Sequence, residues 1–203
     1  MNYTFTQHWI HYDELERYLS PTKNEFHMLE IGSFEGRSTV WFIENLLNNP
    51  NSTVTCIDPW TNYSQNKDSL NSYDKEYTDW NFAEQNTKQI FMNNIRATNK
   101  QDQVKILQGL SSHILPQLVL ENKRYDLIYI GGNHTSPCVL FDAVVSWNLL
   151  NVGGVMVFDD YAWEPHREET LRPKLAADCF IQCFSDYASV EWKEYTLGVR
   201  KIK

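Results

Sequence analysis

The 203-residue sequence has no uninterrupted apolar run near the roughly 20 residues that a membrane-crossing helix needs. It has no cluster of lysine and arginine either. Its 18 basic side chains stand against 26 acidic ones, and the formal charge of −8 argues against nucleic acid as the main partner, because phosphate contacts require concentrated positive charge. No basic start followed by an apolar segment opens the chain, so secretion is not expected and a cytoplasmic location is. The four cysteines, Cys56, Cys138, Cys179 and Cys183, form no C-x-x-C pair and no short disulfide framework, which points to buried thiols. Repeats and low-complexity stretches are missing. So is the G-x-G-x-x-G turn of dinucleotide-binding proteins. What is present, 42% hydrophobic and 14% aromatic residues, is enough to rule out a disordered chain and to build one core, so residues 1–203 are expected to form a single domain.

The chain is organised around residues 26–38, FHMLEIGSFEGRS. An apolar run ending in an acid, followed by two spaced glycines, reads as strand, tight turn and helix start. Gly32 can take backbone angles that other residues resist, and Gly36, without a β-carbon, would let a ligand lie against the first helical turn. Unpaired amides and the positive end of a helix dipole favour an anion there, while Glu30 suits a ligand ammonium or hydroxyl. A zwitterionic amino-acid moiety satisfies both.

The remaining pattern alternates helices and strands. Trp9, Tyr12, Leu15 and Leu19 predict a leading amphipathic helix within residues 1–24. Val40, Ile43 and Leu47 line a helix after the turn, and residues 53–58 are a β-branched strand ending at Asp58, where a ribose hydroxyl acceptor is needed. Trp60 follows and could face adenine. Residues 61–81 are polar with interleaved Tyr63, Tyr73, Tyr77 and Trp80, a long connection suited to a lid or substrate wall. Residues 82–95 predict a helix, 103–107 a strand, 113–120 a helix, and 125–130 a fully buried strand that ends in Gly131-Gly132-Asn133-His134. Ser136-Pro137 opens another helix, Gly153-Gly154 closes its following turn, and residues 155–160 form a fifth strand ending in Asp159-Asp160. A helix over 173–187 and two strands over 190–195 and 196–202 complete the chain. The fold class is α/β, a mostly parallel seven-stranded sheet with helices on both faces.

The turn resembles motif I of class I S-adenosylmethionine (SAM)-dependent methyltransferases, specifically the catechol and macrocin O-methyltransferase subgroup. Glu30, Gly32, Phe34, Gly36 and Ser38 match in register, and the resemblance continues through Ile57-Asp58-Pro59-Trp60, residues 125–134 and residues 153–161. It implies a Rossmann-like fold with a C-terminal antiparallel strand and SAM as cofactor. Gly32, Gly36 and Ser38 would surround the methionine part, Asp58 the ribose, and the region from Gly109 to Ser111 and Ser112 the adenine, with Glu30, Ser33, Phe34 and Trp60 also at the cofactor. His134 lies where catechol-type relatives carry a lysine base, and a part-neutral imidazole can remove the acceptor's proton, with Asp159 orienting it. Asn133, Asp160 and Tyr161 would contact the acceptor, a sugar, glycan or similar small polar molecule.

Metal-dependent relatives place an aspartate where this chain has Gly131. Asp159 and Asp160 remain as oxygen ligands for Mg²⁺ or Mn²⁺, a cage one carboxylate short. Two other readings stand beside this one: an NAD- or nucleotide-sugar-dependent oxidoreductase, and a cofactor-binding module without turnover. The sequence leaves a homo-oligomer open.

Overall fold

A computed structural model describes residues 2–6, 11–60 and 86–203. The expected lid over 61–81 lies outside these residues, as does the start of the leading helix at Trp9.

Seven strands form one sheet: β1 (His27–Ile31), β2 (Thr53–Asp58), β3 (Val104–Gln108), β4 (Tyr125–Ile130), β5 (Leu150–Phe158), β6 (Ala188–Lys193) and β7 (Leu197–Lys201). Their order across the sheet is β3-β2-β1-β4-β5-β7-β6. The first five pair in parallel, and β7 runs antiparallel between β5 and β6. The mostly parallel sheet and the antiparallel C-terminal strand are therefore as expected.

Six helices occur among the described residues: α1 (Tyr12–Tyr18), α2 (Arg37–Asn45), α3 (Thr87–Ala97), α4 (Ser111–Leu120), α5 (Ser136–Trp147) and α6 (Pro173–Cys183). The strand pleat decides which helix each side chain meets, because successive residues point to opposite faces. Leu29, Ile31, Ile57, Ile128, Ile130, Met156 and Phe158 pack with Leu115, Ala143, Trp147 and Phe180 of α4, α5 and α6. Met28, Val54, Cys56, Leu127, Tyr129, Val155 and Val157 pack on the opposite face with Leu15, Val40, Phe42, Ile43, Phe91 and Ile95 of α1, α2 and α3. Both faces are thus dry, which is why β4 reads as one continuous apolar run with no alternation.

Two boundaries and one burial differ from expectation. Gly153 and Gly154 lie inside β5, beside a register shift between Tyr125 and Leu127, so they bend a strand rather than close a turn. The strand stops at Phe158, leaving Asp159 and Asp160 in the bend beyond it. Buried thiols hold only for Cys56; Cys138 and Cys179 are partly covered and Cys183 is exposed.

Candidate active site

Parallel strands leave their carboxyl ends at one edge of the sheet, where ligand sites of this architecture gather. The ends of β1, β2, β4 and β5 are stitched together there: Gly32 N–H donates to Ile57 O (2.8 Å), Gly131 N–H to Ile31 O (2.9 Å) and Asp159 N–H to Ile130 O (2.9 Å).

The pleat puts Glu30 on the α2 face, and it is fully buried. Its carboxylate accepts hydrogen bonds from Ser33 Oγ (2.8 Å), Ser38 Oγ (2.5 Å) and Thr39 Oγ1 (2.5 Å). Burial pushes its pKa up, and the three hydroxyls oppose that shift. Glu30 therefore braces the turn against the first turn of α2 rather than facing a ligand ammonium directly. Gly36, the residue preceding α2, has φ +80° and supplies no side-chain cap, and the first turn of α2 carries no acid. Gly36 is buried, Arg37 and Ser38 after it are partly exposed, and the positive end of the helix dipole there favours an anion such as a carboxylate.

The space beside Gly36 is not a ligand's. A β-carbon there would lie 2.8 Å from Phe91 Cδ2, so Gly36 is required by its left-handed backbone and by the ring packed on it from α3. Gly32, at φ +87°, is the point where two loops cross: a β-carbon would meet Gly131 O at 2.4 Å and Gly132 Cα at 2.5 Å.

Asp58 ties the turn to the next strand. Its carboxylate accepts from the backbone N–H groups of Ser33 (3.0 Å), Phe34 (2.9 Å) and Trp60 (2.7 Å). Burial raises its pKa and the three amides oppose the rise. The Trp60 indole N–H donates to Phe34 O (2.7 Å), and its ring packs on Phe91, with centroids 5.0 Å apart. Phe34 and Trp60 both have φ +46°, a conformation that costs L residues energy and is held here by these bonds.

The loop after β4 brings His134 to Asp160. His134 Nε2 lies 3.1 Å from Asp160 Oδ2, with both side chains partly buried, and the imidazole meets Trp163 edge-on at 4.8 Å. Asp160 has φ +53°, and its other oxygen accepts from the Tyr195 hydroxyl at 2.9 Å. The expected partner, Asp159, turns the other way. It accepts from Asp160 N–H (2.9 Å) and lies beside the buried Tyr129.

The two aspartates separate electrostatically. Burial and the charge of Asp160 push Asp159 well above the ordinary carboxylate range. Burial also acts against ionised Asp160, but His134, Tyr195 and His11 outweigh it and hold its pKa down. One acid is kept neutral and its neighbour charged, a division typical of reactive sites. Because the folded state holds the Asp159 proton more tightly than the unfolded chain, stability is lost as pH rises above the ordinary value of about 4. Asp159→Asn removes that loss. The variant is expected to melt a few °C above the parent at pH 7–8, and the difference should vanish near pH 4. A pH-independent difference in thermal scans would contradict this assignment.

Other expected site residues are engaged elsewhere. Asn133 Oδ1 accepts from Thr135 N–H (2.8 Å) and Oγ1 (2.7 Å), a local turn that starts α5. Tyr161 is buried; its hydroxyl donates to Asp178 (2.8 Å), and Lys174 and Lys193 lie over its ring. Ser111 and Ser112 open α4, with Ser112 exposed and Ser111 bonded to the carboxyl of Asp142. Asp142 is buried and pushed up to about 7, mainly by burial.

The donor set does not fit a divalent cation. Gly131 supplies no ligand, and the space where its side chain would begin lies 3.3 Å from Asp159 Oδ2. Asp159 faces Tyr129, Asp160 is shared by His134 and Tyr195, and the Asn133 oxygen is spent on Thr135. A Mg²⁺ or Mn²⁺ ion needs about six oxygen ligands, several of them from water, around carboxylates that converge.

Tyr195, His11 and Tyr129 went unrecognised in the sequence. The signal for Tyr195 is the antiparallel register: Phe158 pairs with Leu197, so two residues further out Asp160 opposes Tyr195.

The profile of the Methyltransferase domain family matches residues 29–161, more than half of the chain. No curated protein matches the sequence. Among solved structures, the O-methyltransferase TomG from Streptomyces achromogenes, involved in tomaymycin synthesis and in complex with SAM, is similar with a TM-score of 0.63 and 14% identity, covering 89% of this chain and 74% of that one. An O-methyltransferase from Bacillus cereus in complex with S-adenosylhomocysteine (SAH) has a TM-score of 0.59 and 18% identity, covering 86% and 74%. At these identities the likeness is one of fold.

Proposed function

The chain belongs to the family of methyltransferase domains, and from that membership we propose that it is a class I SAM-dependent O-methyltransferase acting on a hydroxyl of a sugar, glycan or similar small polar acceptor. The oxidoreductase alternative gives way to the family match. The observation that carries the proposal is the His134–Asp160 pair at the strand ends, one loop away from the Gly32 turn.

The donor supplies a methyl group made electrophilic by its sulfonium. The uncapped start of α2 would hold its carboxylate. Ser38, which donates to Glu30, keeps lone pairs on its oxygen for the ammonium, relaying the charge of a carboxylate that no ligand can touch. Asp58 has three of about four acceptor positions filled by amides, leaving one for a ribose hydroxyl.

On the acceptor side, an imidazole donating from Nε2 to Asp160 carries its lone pair on Nδ1. Nδ1 would take the acceptor hydroxyl's proton, and the donor, when bound, would supply the methyl group to that oxygen. Ionised Asp160 then stabilises the imidazolium, as in other carboxylate–histidine pairs. Trp163 lies beside the imidazole with the Arg167 guanidinium over its ring at 4.7 Å, and an aromatic edge beside a cation favours a polar acceptor such as a sugar. The four free cysteines suit the reducing cytoplasm.

The test is a screen of sugars, glycans and phenols with methyl-labelled SAM, read by mass spectrometry. A gain of one methyl on a carbohydrate hydroxyl, equal with and without EDTA, is expected. Methylation of catechols only, or a requirement for Mg²⁺ or Mn²⁺, would contradict the acceptor and metal readings respectively. No product from any acceptor, despite SAH binding, would favour a module without turnover.

A further inference from the structure

We propose that Tyr195 is a positioning residue for the transfer, setting the Asp160 carboxylate against His134 through its hydroxyl, and that α1 fixes Tyr195 in place. The inference rests on the reading of His134 as the base.

Tyr195 lies in the bend between β6 and β7, and its position is determined from every side. Its N–H donates to Glu14 Oε1 (3.0 Å), and its carbonyl accepts from Ala162 N–H (3.1 Å), two residues beyond Asp160. The next residue, Thr196, donates to Glu14 Oε2 from both N–H (2.8 Å) and Oγ1 (2.7 Å). Trp192 Nε1 donates to the same Thr196 oxygen at 2.9 Å. Glu14 is itself buried on α1, and its carboxylate is satisfied there by three donors of this bend. Beside it, Tyr18 stacks on Trp192 at 4.7 Å, and the Tyr195 ring lies on His11 at 3.8 Å between centroids.

The bend therefore presents one hydroxyl, at a fixed point, to one oxygen of Asp160 while His134 takes the other. Asp160 needs such support because its backbone is in the left-handed region and it follows immediately on Asp159. Two hydrogen bonds on opposite oxygens fix the carboxylate plane, and the plane fixes the imidazole. The hydroxyl acts on Asp160 and so on the acceptor side of the site, which is why its loss is expected in kcat.

Tyr195→Phe keeps the ring on His11 and removes only the hydroxyl. It is expected to lower kcat about tenfold, with KM for SAM within about twofold of the parent and the melting temperature nearly unchanged. In an Asp160→Asn background the same substitution should cost nothing more, because the group it acts through is already altered. Glu14→Gln, which weakens the grip on the bend without touching the hydroxyl, should lower kcat in the same direction and add little to Tyr195→Phe. An unchanged kcat in Tyr195→Phe, or a tenfold loss that persists in the Asp160→Asn background, overturns the proposal. Full turnover in His134→Ala would instead remove the base reading, a separate outcome.

Discussion

Replacing His134 with alanine is expected to lower kcat by about 10²–10⁴-fold while leaving SAH affinity within about twofold. The asymmetry follows from where the side chain sits. His134 leaves the loop after β4 toward Asp160 and Trp163, away from the carboxylates that brace the cofactor turn. Removing it takes away the proton acceptor and leaves Asp160 partly buried with Tyr195 as its remaining named donor. The loss should be seen with weakly acidic sugar hydroxyls and shrink with acceptors that are already ionised at the assay pH, because those need no base. Calorimetry with SAH separates the two effects. If turnover survives intact, the proton leaves by another route.

The second large effect is structural. Gly32→Ala places a β-carbon 2.4 Å from Gly131 O and 2.6 Å from Gly131 C, in a residue at φ +87°. Neither neighbour can move away cheaply. Gly32 N–H is bonded to Ile57 O and Gly131 N–H to Ile31 O, so a shift on either side breaks a ladder bond. Strain and overpacking together should cost about 3 kcal/mol or more, lowering Tm by roughly 6–12 °C for a chain of this size, and should abolish SAH binding. Gly132→Ala is the internal comparison. Its nearest atom, Ile31 Cγ2, would be 3.5 Å away, an ordinary contact, and it should melt close to the parent. Equal behaviour of the two variants would show that the loops do not cross as described.

The strands were legible because burial on both faces leaves a plain signature: 125–130 and 155–158 are almost wholly apolar and are followed at once by glycine or aspartate. The turn at Gly32 was legible for a similar reason, since a strand followed by spaced glycines has few other uses. The site's finer geometry was less accessible. Glu30 looks like a ligand partner from its place at a strand end, but the pleat turns it inward, to Ser38 and Thr39.

Asp159 and Asp160 exchanged roles because β5 ends at Phe158 and a left-handed residue follows, so the second aspartate, not the first, swings toward His134. Gly36 was assigned to ligand approach when its neighbour is Phe91, a contact across 55 positions that no local pattern announces. Tyr161 was expected at the acceptor, but its hydroxyl is tied to Asp178 on α6, another distant partner. Asn133 is different, since an asparagine two residues before a threonine is a recognisable turn former, and its use by Thr135 could have been anticipated.

The most direct test of the account is a crystal structure of the protein with SAH bound. The amino-acid end is expected at the start of α2, a ribose hydroxyl on Asp58, and the sulfur facing the side on which His134 and Asp160 stand. A sulfur directed away from His134, or a ligand lodged elsewhere than between the Gly32 turn and the loop carrying His134, would contradict it.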